Sequence, residues 1–158
     1  MNCNKKEVSE FNIRVACFPS EVEAIEALDG QLITNKKIVK PYIENGFYIS
    51  DIKNDVLKIV VINRYKDAPI AKGFIKNFEL KKGAIASSVA HDSHNIISVG
   101  VDDESLCKAV NLIIEKKGGI SCVDVRNSSF ENILPLPVGG LMVNDVGYKV
   151  AEASTQID

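Results

Sequence analysis

The first half of the chain carries the two-residue alternation of polar and apolar positions that is typical of β-strands. Phe11–Phe18 alternates in this way, and Pro19 stops the pattern. Val22–Val39 carries Asp29-Gly30 at its middle. Asp-Gly between apolar segments favours a β-hairpin, because a type I′ turn needs positive φ at both central positions. The apolar residues of Glu21–Leu28 are also spaced as in a short helix, but we favour the hairpin.

Further strands follow in the middle of the chain. Asn45-Gly46 predicts a second turn before a strand at Phe47–Ile49. Asp55–Arg64 contains a near-continuous apolar run, which indicates a central strand buried on both faces. Ile70–Leu80 alternates again and contains Gly73, which predicts a bulge or a close backbone approach within that strand.

One amphipathic helix stands out in the second half of the chain. Asp102-Asp103 supplies capping carboxylates, and Gly118-Gly119 ends the helical pattern. The apolar positions between them trace one helical face: Leu106, Ala109, Val110, Ile113 and Ile114. Ile120–Val125 is predicted to be the next strand. The helix therefore connects two strands, which should pair in parallel if they are adjacent.

The last thirty residues combine a loop, an extended segment and a helix. Asn127–Ser129 is predicted to be a loop, and Ile133–Met142 an extended apolar segment whose prolines exclude it from the middle of a sheet. Gly139-Gly140 allows backbone to approach a neighbour closely. Helical spacing then recurs at Val146, Val150, Ala153 and Ile157. The pattern as a whole predicts an α+β fold with mixed, largely antiparallel sheets, one β-α-β passage and helices on the outside.

Composition narrows the class of protein. The length of 158 residues fits one domain, which we place at residues 11–158 after a flexible segment at residues 1–10. A net charge of −2 without a block of Lys and Arg argues against nucleic acid or a membrane as partner. The amino terminus has no signal-peptide core, and the longest apolar run, Ile59–Ile62, cannot span a bilayer. We therefore predict a cytoplasmic protein.

The four cysteines lack the spacing of a metal or redox motif. Three of them lie in apolar sequence and are predicted to be reduced thiols of the core: Cys17, Cys107 and Cys122.

The densest chemistry lies in five consecutive residues, His91-Asp92-Ser93-His94-Asn95, which we call the polar knot. It contains both histidines of the chain and lies between two short apolar runs. Two imidazoles and a carboxylate could converge on a divalent ion, provided that a further ligand comes from elsewhere. The candidates for that ligand are Asp102, Asp103 and Asp124. The alternative is a buried, hydrogen-bonded turn in which each histidine holds one tautomer.

A serine nucleophile is the weaker interpretation of this region. The candidates are Ser87, Ser88 and Ser93, and the sequence around them has no Gly-x-Ser-x-Gly elbow.

Four segments together resemble a known family. Gly83–Asn95, Asn63–Tyr65, Gly118-Gly119 and Leu134–Met142 are similar to the C-terminal domain of bacterial and archaeal adenine deaminases. The likeness runs from about Phe11 to the end of the chain. It implies a complete enzyme of the amidohydrolase superfamily that hydrolyses adenine to hypoxanthine and ammonia with a metal-activated water.

The same resemblance implies what lies outside this chain. The family's metal, Mn²⁺ or Fe²⁺, is held on a barrel domain whose ligands match no residue here, so we expect a truncated piece that is inactive alone. Its expected partners are the barrel domain, adenine as substrate of the complete enzyme, and a second copy in a homo-oligomer. Val143 and Val146 stand where the family has polar residues.

The resemblance also suggests roles for individual residues. His91, Asp92 and His94 are the expected accessory catalytic residues, with His91 and His94 as possible extra metal ligands. Arg64, Ser93 and Asn95 are the expected substrate contacts. One alternative is a structural or oligomerisation domain with no part in the chemistry. A second alternative is an autonomous metal hydrolase, which the single thin cluster of ligands disfavours.

Overall fold

A computed structural model describes residues 1–15, 21–126, 130–145 and 147–155. The described residues contain two α-helices, α1 at Asp103–Glu115 and α2 at Gly147–Thr155, and a 3₁₀ helix at Val8–Phe11. They also contain eleven strands: β1 Ile13–Arg14, β2 Val22–Ala27, β3 Thr34–Val39, β4 Tyr42–Glu44, β5 Phe47–Ile49, β6 Val56–Ile62, β7 Ala71–Lys76, β8 Ala84–Ser87, β9 Ile96–Gly100, β10 Gly119–Asp124 and β11 Phe130–Pro135. Neither α-helix is long and apolar enough to cross a membrane.

Eight of these strands form one large sheet in the order β11-β10-β8-β9-β6-β7-β2-β3. Only β2 and β7 pair in parallel there, and its other neighbours are antiparallel. A small sheet, β1-β5-β4, is antiparallel throughout. The prediction of an α+β fold with mixed, largely antiparallel sheets is confirmed.

Both predicted hairpins form, but their turns differ. β2 and β3 pair as predicted, so the helical alternative for Glu21–Leu28 is wrong. The connection between them spans six residues, and Gly30 has a positive φ whereas Asp29 does not. The two-residue type I′ turn is therefore wrong at that position. Asn45 and Gly46 do have positive φ, at 50° and 81°, in a two-residue turn between β4 and β5.

The middle strands follow the sequence pattern with two differences. The pairing of β6 with β7 is unbroken from Val56–Lys76 to Val61–Ala71, so the bulge predicted at Gly73 is wrong. The nearest neighbour of a Cβ added at Gly73 is a methyl of Ile59 at 3.8 Å, which is ordinary contact. On β6, Val60 is fully buried, whereas Ile59 and Val61 on the opposite face are only half-buried. Burial of this strand on both faces is therefore incomplete.

Helix α1 forms where the sequence predicts it. Asp102 is its N-cap, and its Oδ1 accepts a hydrogen bond from the Ser105 backbone N at 2.8 Å. The helix packs on β8, β9 and β10. The strands that it connects, β9 and β10, are not adjacent, because β8 lies between them and pairs antiparallel with both. The β-α-β passage is thus present, and its two parallel strands, β9 and β10, are separated by the single strand β8.

The main core lies between α1 and one face of the large sheet. Its members are Phe11, Val60, Ile62, Ile70, Ala84, Ala86, Ile96, Leu106, Cys107, Ala109, Val110, Leu112, Ile113 and Val123. The small sheet covers the same face further along, where Tyr48 meets Phe74 edge to face at 6.1 Å. Strand β11 lies at the edge of the large sheet, as the prolines of its segment predicted. Helix α2 contacts β11 there.

Residues 1–10 were expected to be flexible, yet in the structure they make specific contacts with α1. The backbone N of Lys6 donates to Asn111 Oδ1 at 2.8 Å, and its carbonyl accepts from the amide of Asn111. The side chain of Lys6 is buried and lies 2.8 Å from Asp67. The division into residues 1–10 and 11–158 stays a prediction.

The cysteines only partly follow the expectation of core thiols. Cys107 is buried, whereas Cys3 and Cys122 are half-buried, and all three are free. Cys17 lies outside the described residues, as do the predicted loop at Asn127–Ser129 and two positions of the last helical pattern, Val146 and Ile157.

Candidate functional site

One end of the large sheet gathers the segments that the sequence singled out. Here β6 and β8 end and β9 and β10 begin, as the pairings Ile62–Ile96 and Ser87–Ile120 show. The polar knot connects β8 to β9 at this end, and Arg64 lies two residues beyond β6. We call this edge of the sheet the knot end.

The backbone of the polar knot is a tight turn. The N of Ser93 donates to His91 O at 3.0 Å, and the N of His94 donates to Ala90 O at 2.7 Å. Asp92 and His94 have φ of 67° and 48°, in the left-handed region that residues with a side chain rarely adopt. Each such residue costs about 1 kcal/mol or more, so the packing of the flanking strands must hold this turn in place.

The first two side chains of the knot point into solvent. The side chains of His91 and Asp92 are 95% and 90% exposed, and His91 Nδ1 lies 2.9 Å from Asp92 Oδ1. When Nδ1 donates to that carboxylate, the neutral ring leaves Nε2 as an outward-facing proton acceptor. The alternative of a buried turn therefore does not describe His91 and Asp92.

Three buried side-chain atoms at the knot end lack a hydrogen-bond partner within the described residues. They are Arg64 Nε, His94 Nδ1 and Asn95 Oδ1. The three residues flank the same end of the β6–β9 pair, directly beyond Ile62 and Ile96. Buried polar atoms are normally satisfied, and each one left alone costs about 1–3 kcal/mol. The knot end therefore contains one donor, Arg64 Nε, one acceptor, Asn95 Oδ1, and one ring nitrogen, His94 Nδ1, without a partner among the described residues.

Arg64 organises the neighbourhood of the knot. Arg64 is a buried residue, with 8% of its surface exposed. Its Nη2 donates to Gly139 O at 2.8 Å, and the guanidinium lies 5.1 Å from the ring centre of Tyr65. The hydroxyl of Tyr65 in turn donates to Ser93 O at 3.3 Å. Arg64 and Tyr65 therefore tie the knot to the turn at Gly139-Gly140.

Ser88 joins the two glycine pairs. Its hydroxyl donates to Gly140 O at 2.6 Å and accepts from Gly119 N at 2.9 Å. A Cβ on Gly118 would lie 2.2 Å from Gly140 Cα, and a Cβ on Gly140 would lie 2.1 Å from Arg64 Nη1. The close approach predicted for Gly139-Gly140 is confirmed at Gly140. Ser88 is fully buried and occupied by these bonds, which makes it structural.

The aspartates considered as further metal ligands lie elsewhere. Asp102 and Asp103 follow β9, and Asp124 ends β10, so all three are at the opposite end of the sheet from the knot. Across the described parts of the chain, no three His, Cys, Asp or Glu side chains are grouped to hold a metal ion. The residues present here therefore do not fit a complete metal site. A role for His91 and His94 as extra ligands stays a prediction.

The opposite end holds a charged cleft that the sequence did not reveal. Lys58, 1% exposed, places its Nζ 2.7 and 2.8 Å from the carboxylate oxygens of Asp103, at the start of α1. Burial raises the pKa of the Asp103 carboxyl, and the Lys58 ammonium opposes that rise. Arg126 pairs with Glu104 across the same cleft, which holds about 180 Å³. Because these charges are paired, we assign the cluster to fastening α1 on the sheet. A lysine within an apolar strand was the signal available in the sequence.

Comparison with known proteins adds the family. Residues 31–158 match the family model described as the adenine deaminase C-terminal domain. The chain is 50% identical to an adenine deaminase of Methanosarcina mazei over 83% of its own length and 23% of the relative. It is 44% identical to that of Methanosarcina barkeri over 98% of the chain and 29% of the relative. It is 45% identical to the adenine deaminase of Borreliella burgdorferi over 95% of the chain and 27% of the relative. The chain thus spans about a quarter of the length of these relatives.

Proposed function

Because this chain belongs to the adenine deaminase C-terminal domain family, we propose that it is the accessory portion of an enzyme that hydrolyses adenine to hypoxanthine and ammonia. In this proposal the knot end faces the reaction centre, which the remaining portion of the enzyme provides. In this proposal the chain alone is inactive, because the resemblance places the family's metal ligands on a barrel domain and not on this chain. The water-activating Mn²⁺ or Fe²⁺ of the complete enzyme is held on that domain.

The observation that carries this proposal is the set of unpartnered polar atoms at the knot end. Arg64 Nε, His94 Nδ1 and Asn95 Oδ1 are buried without a partner, next to an exposed His91–Asp92 pair. Buried polar atoms are normally satisfied by protein, by a ligand or by ordered water. In this proposal the substrate or the polar wall of the active site supplies their partners.

Hydrolytic deamination needs a group that carries protons and groups that form hydrogen bonds with the purine ring. Hydrolysis adds water at the carbon that bears the exocyclic amine, breaks that C–N bond and releases ammonia. One proton must leave the attacking water, and one must reach the departing nitrogen. His91 Nε2, oriented by Asp92, can carry a proton at this position. The Nε–H of Arg64 can donate to a ring nitrogen of the purine, and Asn95 Oδ1 can accept from a ring N–H.

The test uses a joined enzyme, in which this chain replaces the matching part of the Methanosarcina mazei relative. His91→Asn and His94→Asn should each lower kcat for adenine by about tenfold to a hundredfold, at the lower end of general acid–base effects. Asp92→Asn should show a smaller loss, because it only orients His91. Asp29→Asn is the matched control, since Asp29 is an exposed aspartate in the β2–β3 connection, and it should leave kcat unchanged.

Unchanged kcat in all three knot variants would contradict this proposal. If the same variants instead lowered the melting temperature or changed the oligomeric state, the structural or oligomerisation alternative would hold. Adenine turnover by this chain alone with added Mn²⁺ would favour the autonomous hydrolase.

A further inference from the structure

The two faces of the large sheet are covered very differently. Residues paired across neighbouring strands share a face, and successive residues alternate between faces. One face therefore carries Val60, Ser98 and Ala86, which are buried against α1 and the core. The other face carries Ile59 and Val61, together with their partners on β9, β8 and β10.

Seven half-buried residues on β6, β9, β8 and β10 make up the less covered part of this second face. We call them the open face: Ile59, Val61, Ile85, Ser87, Ile97, Ile120 and Cys122. The segment after β7 covers the far end of the same face, where Phe78 and Leu80 pack on Leu57, Ile75 and Val99, and Ile59 borders this cluster. Of the two described helices, α1 packs on the opposite face and α2 contacts β11 at the edge of the sheet. The open face reaches the knot end at Ile97 and Ile120.

This composition is unusual for a sheet surface in water. An antiparallel sheet with one wet face carries polar residues at every second position. Here the outward positions from Ile59 and Val61 on β6 across to Ile120 and Cys122 on β10 are Ile or Val at every site except Ser87 and Cys122. On the β2–β3 hairpin the same face also carries Ile25 and Ile38, 42% and 54% exposed, beside the ion pair of Glu23 and Lys36. Contiguous apolar surface of this kind marks an interaction site.

The size of the open face distinguishes between its possible occupants. On one face of a sheet each residue covers about 4.8 Å by 6.8 Å, so the seven residues of the open face span about 230 Å². A stable interface between separate molecules needs about 800 Å² on each partner. An interface between parts of one chain starts at about 300 Å² on each side. The open face is therefore much too small for a dimer of this chain and close to the size of a small intrachain contact.

We propose that the open face is the docking surface for the remaining portion of the adenine deaminase polypeptide. This proposal rests on the proposed function. The relatives contain about three-quarters of their length outside the part that this chain matches, so a large body of protein is available to cover it. Because the open face borders the knot end, docking there places the knot next to the docked portion. The apolar face supplies attachment, and the unpartnered polar atoms lie at its rim.

Cys122 is a natural probe of this contact. Its thiol is half-buried within the open face, opposite Ile85 on β8. Burial raises the pKa of the Cys122 thiol, so labelling with a maleimide is followed at mildly alkaline pH. Cys3 and Cys17 are replaced by Ser, and the buried Cys107 serves as an internal reference. We compare the labelling rate in this chain alone with that in a joined enzyme that turns over adenine.

Docking predicts that Cys122 labels at least tenfold more slowly in the joined enzyme than in the chain alone. Ile85→Lys should restore rapid labelling there, because a buried unpaired charge opposes docking. Ile52→Lys is the matched control: Ile52 is 39% exposed in the turn before β6, and the change should leave Cys122 protected. If joining gives no active enzyme, the two portions are coexpressed separately and the copurified complex is labelled.

Equal labelling rates in the two proteins, or the absence of any complex, would overturn the docking proposal. Protection of Cys122 in the chain alone that grows with its concentration would do so as well, because it assigns the face to a second copy. The two proposals fail separately. If Cys122 is protected in the joined enzyme but the knot variants leave kcat unchanged, the proposed function is wrong. If Cys122 labels rapidly in the joined enzyme but the knot variants lower kcat, only the docking proposal is wrong.

Discussion

Replacing Gly140 by alanine tests how the knot end is held together. Gly140 has φ of +75°, and a Cβ there would lie 2.1 Å from Arg64 Nη1 and 3.0 Å from Lys117 O. The guanidinium has little freedom to move, because it is buried and its Nη2 is bonded to Gly139 O. Gly139 is the matched control, since its φ is +66° but nothing lies within 4 Å of an added Cβ.

The two substitutions should differ by the cost of moving Arg64. A left-handed alanine costs about 1–2 kcal/mol, and the stiffer unfolded chain returns about 0.4–1 kcal/mol, so Gly139→Ala should destabilise by about 1 kcal/mol. Gly140→Ala also disrupts a hydrogen bond from a charged donor, worth about 1.5–3 kcal/mol. Its total should be about 2–4 kcal/mol. At about 2–4 °C per kcal/mol for a chain of this size, the melting temperature should fall by about 3 °C and by about 10 °C.

Thermal and urea unfolding of the two variants and of Arg64→Ala measure these losses. In the Arg64→Ala background, Gly140→Ala should cost less than in the wild type, because the atom that it displaces is absent. A double-mutant cycle then gives a coupling of about 1.5–3 kcal/mol, in the range expected for residues in contact. Equal losses at Gly139 and Gly140, or additive effects of Arg64 and Gly140, would refute the close packing inferred here.

Two further contacts give predictions by the same measurement. Lys58→Ala should destabilise by about 3 kcal/mol, the low end for breaking a buried pair, because it leaves the Asp103 carboxylate, 17% exposed, without its partner. Lys58→Met combined with Asp103→Leu should cost less than half of that, and equal losses would contradict a mostly buried ion pair. The hydrogen bond from Lys6 lowers the pKa of Asp67, so its contribution to stability is present above the pKa of an unfolded aspartate and is lost as the pH falls below about 4. Asp67→Asn should flatten the acid limb of melting temperature against pH, and an unchanged limb would argue against this contact.

Local sequence signals were sufficient for most of the secondary structure. The cap at Asp102 and the apolar stripe of α1 act within a few residues, so helix propensity and burial agree. Asn45-Gly46 forms the two-residue turn that its φ preferences favour. Asp29-Gly30 does not form a two-residue turn. The connection between β2 and β3 is six residues long, so its backbone does not have to match the twist of the strands within two residues.

The candidate site depended on contacts that no local pattern encodes. The polar knot was visible as a cluster of polar residues in apolar sequence, but its exposure was not. Arg64 meets Gly139 across 75 residues of sequence, and Ser88 meets Gly140 across 52. Such pairs follow from strand order, which periodicity alone does not give. The three aspartates proposed as ligands lie at the far end of the sheet for a simpler reason, because Asp102 and Asp103 follow β9 and Asp124 ends β10, whereas the knot precedes β9.

Strand β6 was predicted to be buried on both faces, but Ile59 and Val61 on one face are only half-buried. The sequence of β8 carries small residues, Ala84 and Ala86, on the face under α1 and the larger Ile85 on the open face. Small residues are required under the helix, because a Cβ on Gly100 would lie 2.8 Å from Leu106 Cγ. Nothing comparable requires bulk on the other face if that face meets only water. Isoleucine there is explained when a second layer packs on it, as in sheets covered on both sides. The apolar pattern of β6 therefore supports the docking proposal, under which this sheet would lie between α1 and the docked portion.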